Sequence, residues 1–359
     1  MTNIYRINDA ETDYLLNKTI SVIGYGNQGR AQALNLRDSG LHVIIGSRND
    51  HYADIAQCDG FEVFKISHAV ANSQVVMLLV PDEALPKIFE EQVRHHLTPG
   101  STVVFASGYN IAFNQVRVNN NVDILLLAPR MIGVGVRERY LTEEGFYCFI
   151  GVHQDTSGNA SKVLLALTWG IGGLVKPAIE VTFKQEATLD LFNEQAFGPA
   201  FGRVLLNAIS ILVDHGLPPE AVLVEMYMSE EMAYTYRKMA QVGLVQQTLF
   251  HSQTSQYGAM SRGVRFLNLG LKDRMEKIFT EIDSGAFARE WSSPLSKIKF
   301  KAIRYFAMRQ RINKLESQVR KALRLEEKSV YQTPPDFAKV LSDPRIVDEL
   351  ESFIATFEF

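Results

Sequence analysis

Apolar and polar positions divide the chain into two parts with different rhythms. In the first, short apolar runs recur at 20–23, 41–45, 75–80, 102–105, 123–127 and 147–152, each bounded by turn or helix signals. Runs of this length that lack the alternation of a half-exposed strand predict a parallel sheet buried on both faces. The polar residues before them predict a short lead-in strand or helix. From about Glu180 the strand-like runs stop and helical periodicity continues through Leu325. That shift predicts a second, helical domain.

The stretch 19–31 (TISVIGYGNQGRA) organises the first part, because a strand there runs straight into Gly24-Tyr25-Gly26-Asn27-Gln28-Gly29. Gly24 permits a tight turn, Gly26 lets backbone approach a pyrophosphate, and Gly29 allows close helix-on-strand packing. The helix expected over 28–39 offers its free N–H groups and dipole to an anion. The predicted fold class is therefore α/β, an N-terminal Rossmann-type parallel sheet followed by an all-helical domain. Domains are expected at 1–180 and 181–326, with an extra tail at 327–359. A nicotinamide cofactor is implied, but Arg48 and Asp50 at the end of the second strand leave NADP and NAD both open: a basic residue suits a 2′-phosphate and an acidic one a 2′-hydroxyl. Ligands of such sheets lie beyond the carboxyl ends of the strands, which directs attention to Pro81-Asp82, Ser107-Gly108 and Pro129.

Composition narrows the class. The 359 residues carry 37 basic and 40 acidic side chains, a net charge of −3, which gives no global pull toward nucleic acid or an anionic membrane. Cys58 and Cys148 are the only cysteines, so neither a disulfide framework nor a cysteine zinc site is supported. With no basic-then-apolar leader and no uninterrupted apolar span, a cytoplasmic protein is expected. Asp190 and Glu194 stand four apart on a helical pattern, so both carboxylates share a face and suit magnesium, a hard cation. Taken alone, such a pair is more often a solvated helix face. The stretch 297–324 is basic and helical, with an apolar side near heptad spacing; a helix packed on its own assembly with a solvated basic face is the favoured reading.

Several stretches resemble the ketol-acid reductoisomerase family in its short, single-repeat form: 22–37 (VIGYGNQGRAQALNLR), 80–83 (VPDE), 105–111 (FASGYNI), 152–158 (VHQDTSG), 182–184 (TFK), 190–195 (DLFNEQ), 252–263 (SQTSQYGAMSRG) and 285–291 (GAFAREW). The resemblance covers roughly residues 1–325. It implies a Rossmann domain plus a knotted helical domain that dimerises, and a magnesium-dependent alkyl shift in a 2-hydroxy-2-alkyl-3-oxo acid followed by hydride reduction, in branched-chain amino-acid biosynthesis. It also implies that Gly24, Tyr25, Gly26, Asn27, Gln28, Gly29, Arg48, Asp50, Pro81, Asp82 and Gly133 hold the cofactor. Asp190 and Glu194 match the family's first pair of metal ligands, and Ser252 matches a serine that hydrogen-bonds substrate.

The chain departs from the family at three places. Ser107 stands where FAHGFNI carries histidine, and Arg130 stands where APKGPGH carries lysine. Serine does not take up a proton near neutral pH, and arginine does not give one up. Met131 and Ile132 make the neighbouring pocket bulkier and more apolar. The family's second pair of glutamates falls on Glu225 and Ser229 counted forward, but on Tyr227 and Glu231 counted backward from Ser252, so two extra residues lie within that helix. On a regular helix Glu230 stands about 140° round from Glu225; a one-residue π-bulge would return it to register. The expected function is an NAD(P)H-dependent oxidoreductase reducing a small 2-oxo, imino or ketol acid with the rearrangement machinery altered. Ser107, Arg130, Asp190, Glu194 and Ser252 are the catalytic candidates, and Asp190, Glu194, Glu225 and Glu230 the magnesium candidates. The alternatives are an authentic magnesium-dependent ketol-acid reductoisomerase and a non-catalytic cofactor-binding protein. Expected partners are a small acid substrate and a second copy of the chain, without nucleic acid or membrane.

Overall fold

The computed structural model describes residues 2–325; the tail 327–359, with its acidic stretch 337–357, lies outside the described residues. The chain divides into two compact units between Asp190 and Leu191.

The first unit is built on one nine-stranded sheet in the order β1-β9-β8-β7-β6-β5-β2-β3-β4. The strands are β1 (Ile4–Tyr5), β2 (Thr19–Ile23), β3 (His42–Gly46), β4 (Val63–Phe64), β5 (Val75–Leu78), β6 (Thr102–Phe105), β7 (Asp123–Pro129), β8 (Cys148–Gln154) and β9 (Ala178–Glu180). From β4 through β7 every pairing is parallel. That run has the order of a doubly wound dinucleotide fold, and its direction of winding reverses between β2 and β5. β8 then turns antiparallel against β7, and β1 closes the edge antiparallel to β9.

The apolar runs show why the sheet is covered on both sides. Val22, Ile45, Met77, Val104, Leu125 and Leu127 enter one core. Their neighbours Ile23, Ile44, Val76, Val103, Ile124 and Leu126 enter the other. Period-two geometry sends successive side chains to opposite faces, so a strand with apolar residues throughout can only be fully buried.

The second unit is helical. Its core gathers Ile209, Val222, Leu223 and Val319, with Ile312 and Leu315 packed against it. The basic stretch forms two helices, Pro294–Ala307 and Arg311–Ala322, rather than one. The helix expected to run through Glu225 and Glu230 is also broken. A π-helical turn, Val224–Met228, follows Pro219–Leu223, and the chain then reverses at Glu230 (φ 61°) before the helix Glu231–Val242. The extra residues are thus absorbed by a widened turn and by Glu230, the left-handed residue at the break. The run Phe183–Asp214 is, by length and composition, apolar enough to cross a membrane. It carries Asp190, Glu194, Arg203 and Asp214 along its length.

At the amino end of β7, Asp123 fastens the loop after β8. Its Oδ1 accepts from Thr156 N (2.7 Å) and Ser157 N (3.0 Å), and its Oδ2 from Ser157 Oγ (2.6 Å). Burial pushes its carboxyl up, but the Ser157 and Thr156 donors outweigh burial and hold it below the usual carboxylate value. Asp123→Ala is expected to cost about 2–3 kcal/mol by urea unfolding at pH 7. Because the folded carboxyl lies below the unfolded one, that contribution is present above about pH 4 and fades as pH falls through the folded value. The gap between wild type and variant should therefore narrow at pH 3.

Candidate functional site

Beyond β2 the chain turns at Gly24 (φ 94°), where a Cβ would stand 2.7 Å from Val80 Cγ1 and 2.8 Å from Leu79 O. At Gly29 a Cβ would lie 2.1 Å from Gly24 O, so the helix Asn27–Asp38 packs directly on its own loop. Gly26, by contrast, faces open space, with nothing within 4 Å of its Cβ position. It caps the helix without a side-chain hydrogen bond. An uncapped helix start behind an open glycine fits a dinucleotide pyrophosphate. Gly133, which opens the helix Gly133–Leu141, would clash at 2.2 Å with Asn27 O, and Gln28 Nε2 donates to Met131 O at 2.9 Å. The Arg130 loop is therefore bound to the phosphate loop.

Not every cofactor candidate presents its side chain to that space. Tyr25 is buried, and its hydroxyl donates to Asp59 Oδ2 at 2.8 Å beside the Phe61 ring, so its backbone is what it can offer. Asp50 caps the helix His51–Cys58 through Tyr52 N (3.2 Å) and pairs with Arg48 at 3.4 Å. Its carboxylate is thereby engaged, while the Arg48 side chain is 73% exposed. Pro81 O accepts from Ala84 N (2.9 Å) and Leu85 N (3.0 Å), turning the loop after β5.

The carboxyl ends of β5, β6 and β7 converge with the helix Phe183–Phe192 on a charged cluster. Arg130 stands at the end of β7 with its guanidinium 4.9 Å from the centre of the Phe149 ring. It donates to Glu186 Oε1 at 2.9 Å and, through Nη2, to Asp190 Oδ1. Glu186 is 1% exposed, and its second oxygen accepts from Gly108 N at 2.6 Å. Burial pushes the Glu186 carboxyl up to about 7 against the pull of Gly108 and Arg130. Gly108 has no alternative at this contact, since a Cβ there would lie 2.0 Å from Phe183 O. Asp82, after β5, accepts from Asn110 Nδ2 at 2.7 Å, and Ser107 Oγ reaches its other oxygen at 3.5 Å. Burial pushes the Asp82 carboxyl up to about 6. Ser107, Arg130 and Asp190 thus come together.

Glu186 is the residue that sequence reasoning missed. Its signal was present, because Glu186, Asp190 and Glu194 recur every four residues on a helical pattern. Met131 packs against the core and Ile132 is 75% exposed beside Arg130.

In the second unit, Glu194 and Glu225 each lie on a π-helical turn, Asn193–Phe197 and Val224–Met228. Turns of this kind recur at functional sites. Ser252 caps the helix Gln253–Gly263 by accepting from Ser255 N at 3.2 Å, which leaves its hydroxyl proton to donate elsewhere. Among the described residues no three His, Cys, Asp or Glu side chains of one chain form a metal-binding group. In this chain Asp190 meets the Arg130 guanidinium, while Glu194 and Glu225 lie on the two π-helical turns of the second unit.

Comparison with known proteins bears on this geometry. Residues 14–176 match the family described as Acetohydroxy acid isomeroreductase, NADPH-binding domain, and residues 183–324 the family described as Ketol-acid reductoisomerase, C-terminal domain. A protein of Saccharolobus solfataricus called Putative ketol-acid reductoisomerase 3 is 40% identical over 288 residues, 79% of this chain and 86% of that one. A Ketol-acid reductoisomerase (NADP(+)) of Pyrobaculum arsenaticum is 40% identical over 302 residues, 81% of this chain and 89% of its own. The solved structure of an NADH-preferring ketol-acid reductoisomerase from an uncultured archaeon superposes with a TM-score of 0.83 at 32% identity, covering 89% of this chain and 98% of that one.

The buried Glu186 carboxylate makes Arg130 a structural cation. Arg130→Met is expected to destabilise the protein by about 2 kcal/mol, since it leaves a buried charge uncompensated. Adding Glu186→Gln, which keeps an acceptor for Gly108, should recover most of that loss. A double-mutant cycle by chemical denaturation checks both.

Proposed function

The chain belongs to the ketol-acid reductoisomerase family, and from that premise we propose that it is an NAD(P)H-dependent oxidoreductase that reduces a small 2-oxo, imino or ketol acid, with the alkyl-shift half of the family reaction altered. The observation that carries the reading is the Arg130 bridge between Glu186 and Asp190. An alkyl shift needs an alkoxide beside a polarised ketone, which a pair of metal ions supplies. Here the first metal candidate is bound by a fixed guanidinium, and Glu230 lies at a helix break. Reduction asks less: a held cofactor, a positioned acid and one electrophilic group.

Each retained group has a role in that simpler reaction. A bound nicotinamide would supply the hydride. Gly24, Gly26, Asn27, Gln28, Gly29 and Gly133 form the phosphate cradle. Arg130, anchored on one side, directs its remaining N–H donors at a substrate carboxylate or carbonyl. Ser107 would hand a proton to the nascent alkoxide, and Ser252, by its match to the family serine, would donate its hydroxyl to the acid. Ile132 offers an apolar lip for a short aliphatic chain. Exposed Arg48, beside an Asp50 already committed to a helix cap, favours NADPH over NADH. A homodimer is proposed because Phe197, Phe201, Val204 and Ile211 leave an apolar helix face exposed in one chain. Cys58 and Cys148 are both free thiols, which suits the cytoplasm.

A second reading, the authentic magnesium-dependent isomeroreductase, is favoured by the names of relatives that are 38–40% identical. In it Glu225 from a second subunit would join Asp190 and Glu194. Oxidation of NADPH with 2-acetolactate, with its rearranged 3-hydroxy-2-oxo acid, and with simple 2-oxo acids, each with and without magnesium, separates the two. Turnover of 2-oxo acids is expected to exceed that of 2-acetolactate by about tenfold or more, equivalent to about 1.4 kcal/mol of barrier, with little effect of magnesium. Magnesium-dependent turnover of 2-acetolactate at the rate of the rearranged acid would establish the second reading instead.

A further inference from the structure

Ser107 raises a problem that histidine would not: a hydroxyl can hand a proton to a nascent alkoxide only if something immediately restores it. The structure contains one candidate for that task. Asp82 lies beyond the end of β5 with one oxygen 3.5 Å from Ser107 Oγ, and the other accepts from Asn110 Nδ2 at 2.7 Å. Ser107 Oγ itself accepts from Tyr109 N at 3.2 Å and as it stands donates toward Asp82; a protonated Asp82 reverses that bond and frees the Ser107 proton for substrate. Contacts of this kind tighten when substrate arrives.

Resting on the reductase reading, we propose that Asp82 is a proton-holding positioning residue that acts through Ser107, the pair replacing the histidine this chain lacks. Asn110 suits both states of such a group. It is fully buried, and its Oδ1 has no hydrogen-bond partner among the described residues. As it stands, its Nδ2 serves an Asp82 carboxylate; with the amide rotated by half a turn, its Oδ1 would accept from an Asp82 carboxyl. The charges facing Asp82 favour the protonated state. Burial comes first, and Glu83 and Asp190 add repulsion against the donors Asn110 and Ser107, leaving the carboxyl at about 6. Glu186 and the Tyr109 hydroxyl are the other titratable groups in the same field. Glu186 is less suited to donate, since both its oxygens already accept, from Gly108 N and Arg130.

The step balances without a further reagent. The substrate carbon accepts hydride with its electron pair, and the carbonyl π pair moves to oxygen. That oxygen takes the Ser107 proton, and Ser107 takes the Asp82 proton. Asp82 is left as carboxylate and recharges from solvent.

The test compares wild type, Asp82→Asn, Ser107→Ala and the double variant Asp82→Asn with Ser107→His. Infrared difference spectra between wild type and D82N should show a protonated carboxyl band in wild type that disappears as pH rises through about 6. With a 2-oxo acid, kcat of wild type should fall on the basic side. D82N should lose about tenfold or more in kcat and lose that limb, with the KM for NADPH within about twofold of wild type. Histidine at 107 should restore most of the D82N loss. Absence of the carboxyl band, or a D82N effect confined to the KM for NADPH, overturns the relay alone. Failure of wild type to oxidise NADPH on any oxo acid overturns the reductase reading and the relay with it.

Discussion

Glu186 is the constraint on which the first unit's chemistry depends. An ionised carboxyl withdrawn from water needs strong donors, and the fold supplies two from distant parts of the chain: Gly108 N at the end of β6 and the Arg130 guanidinium at the end of β7. Satisfying this one residue draws together the loop after β6, Arg130 after β7 and the helix that bears Asp190. Gly108 is required at the contact because Phe183 O occupies the space a side chain would need. The same region is then poor in water and rich in negative charge. Burial and the neighbouring carboxylates accordingly raise the Asp82 carboxyl, while Arg130 is held by Glu186 and Asp190.

Much of the fold was legible because its strands are pure apolar runs. The parallel strands of the sheet centre fall where continuous hydrophobicity predicts them, and the first helix, Asn27–Asp38, lies within a residue of expectation. What escaped was short or depended on distant partners. Val63–Phe64 and Ala178–Glu180 are two and three residues long, and each is a strand only because a neighbouring edge is available. Glu186 escaped for the same reason, since its partners lie 56 and 78 residues away. Counting residues between flanking motifs reveals the extra residues and admits a π-turn, which the structure has at Val224–Met228, but not the left-handed Glu230 that breaks the helix. Extra residues can be absorbed by widening a turn, by breaking the helix or by both, and this chain does both.

The substitutions gain meaning when taken together. Replacing lysine by arginine at 130 turns a point charge that can lose its proton into a planar fork able to hold two carboxylates at once. Serine at 107 leaves that loop without an imidazole, and a carboxyl with a raised protonation midpoint stands beside it. Each change alone would leave a gap, a buried Glu186 without its fork or a hydroxyl without a source of protons. Together they set a permanent cation on Glu186 and Asp190 and a carboxyl with a raised protonation midpoint beside Ser107.

That difference bears on how the site handles developing charge. A metal pair can be drawn toward an oxygen as negative charge builds on it, whereas a guanidinium tied to Glu186 and Asp190 keeps its place. Fixed donors suit a reaction in which charge develops on one predictable oxygen, as when hydride reaches a carbonyl. They suit migration of an alkyl group between adjacent carbons poorly, because charge must shift from one oxygen to its neighbour within the step. The protein keeps the phosphate loop and the serine cap at Ser252, which hold reactants still. Around them, the Arg130 fork fixes the end of β7 against Glu186 and Asp190.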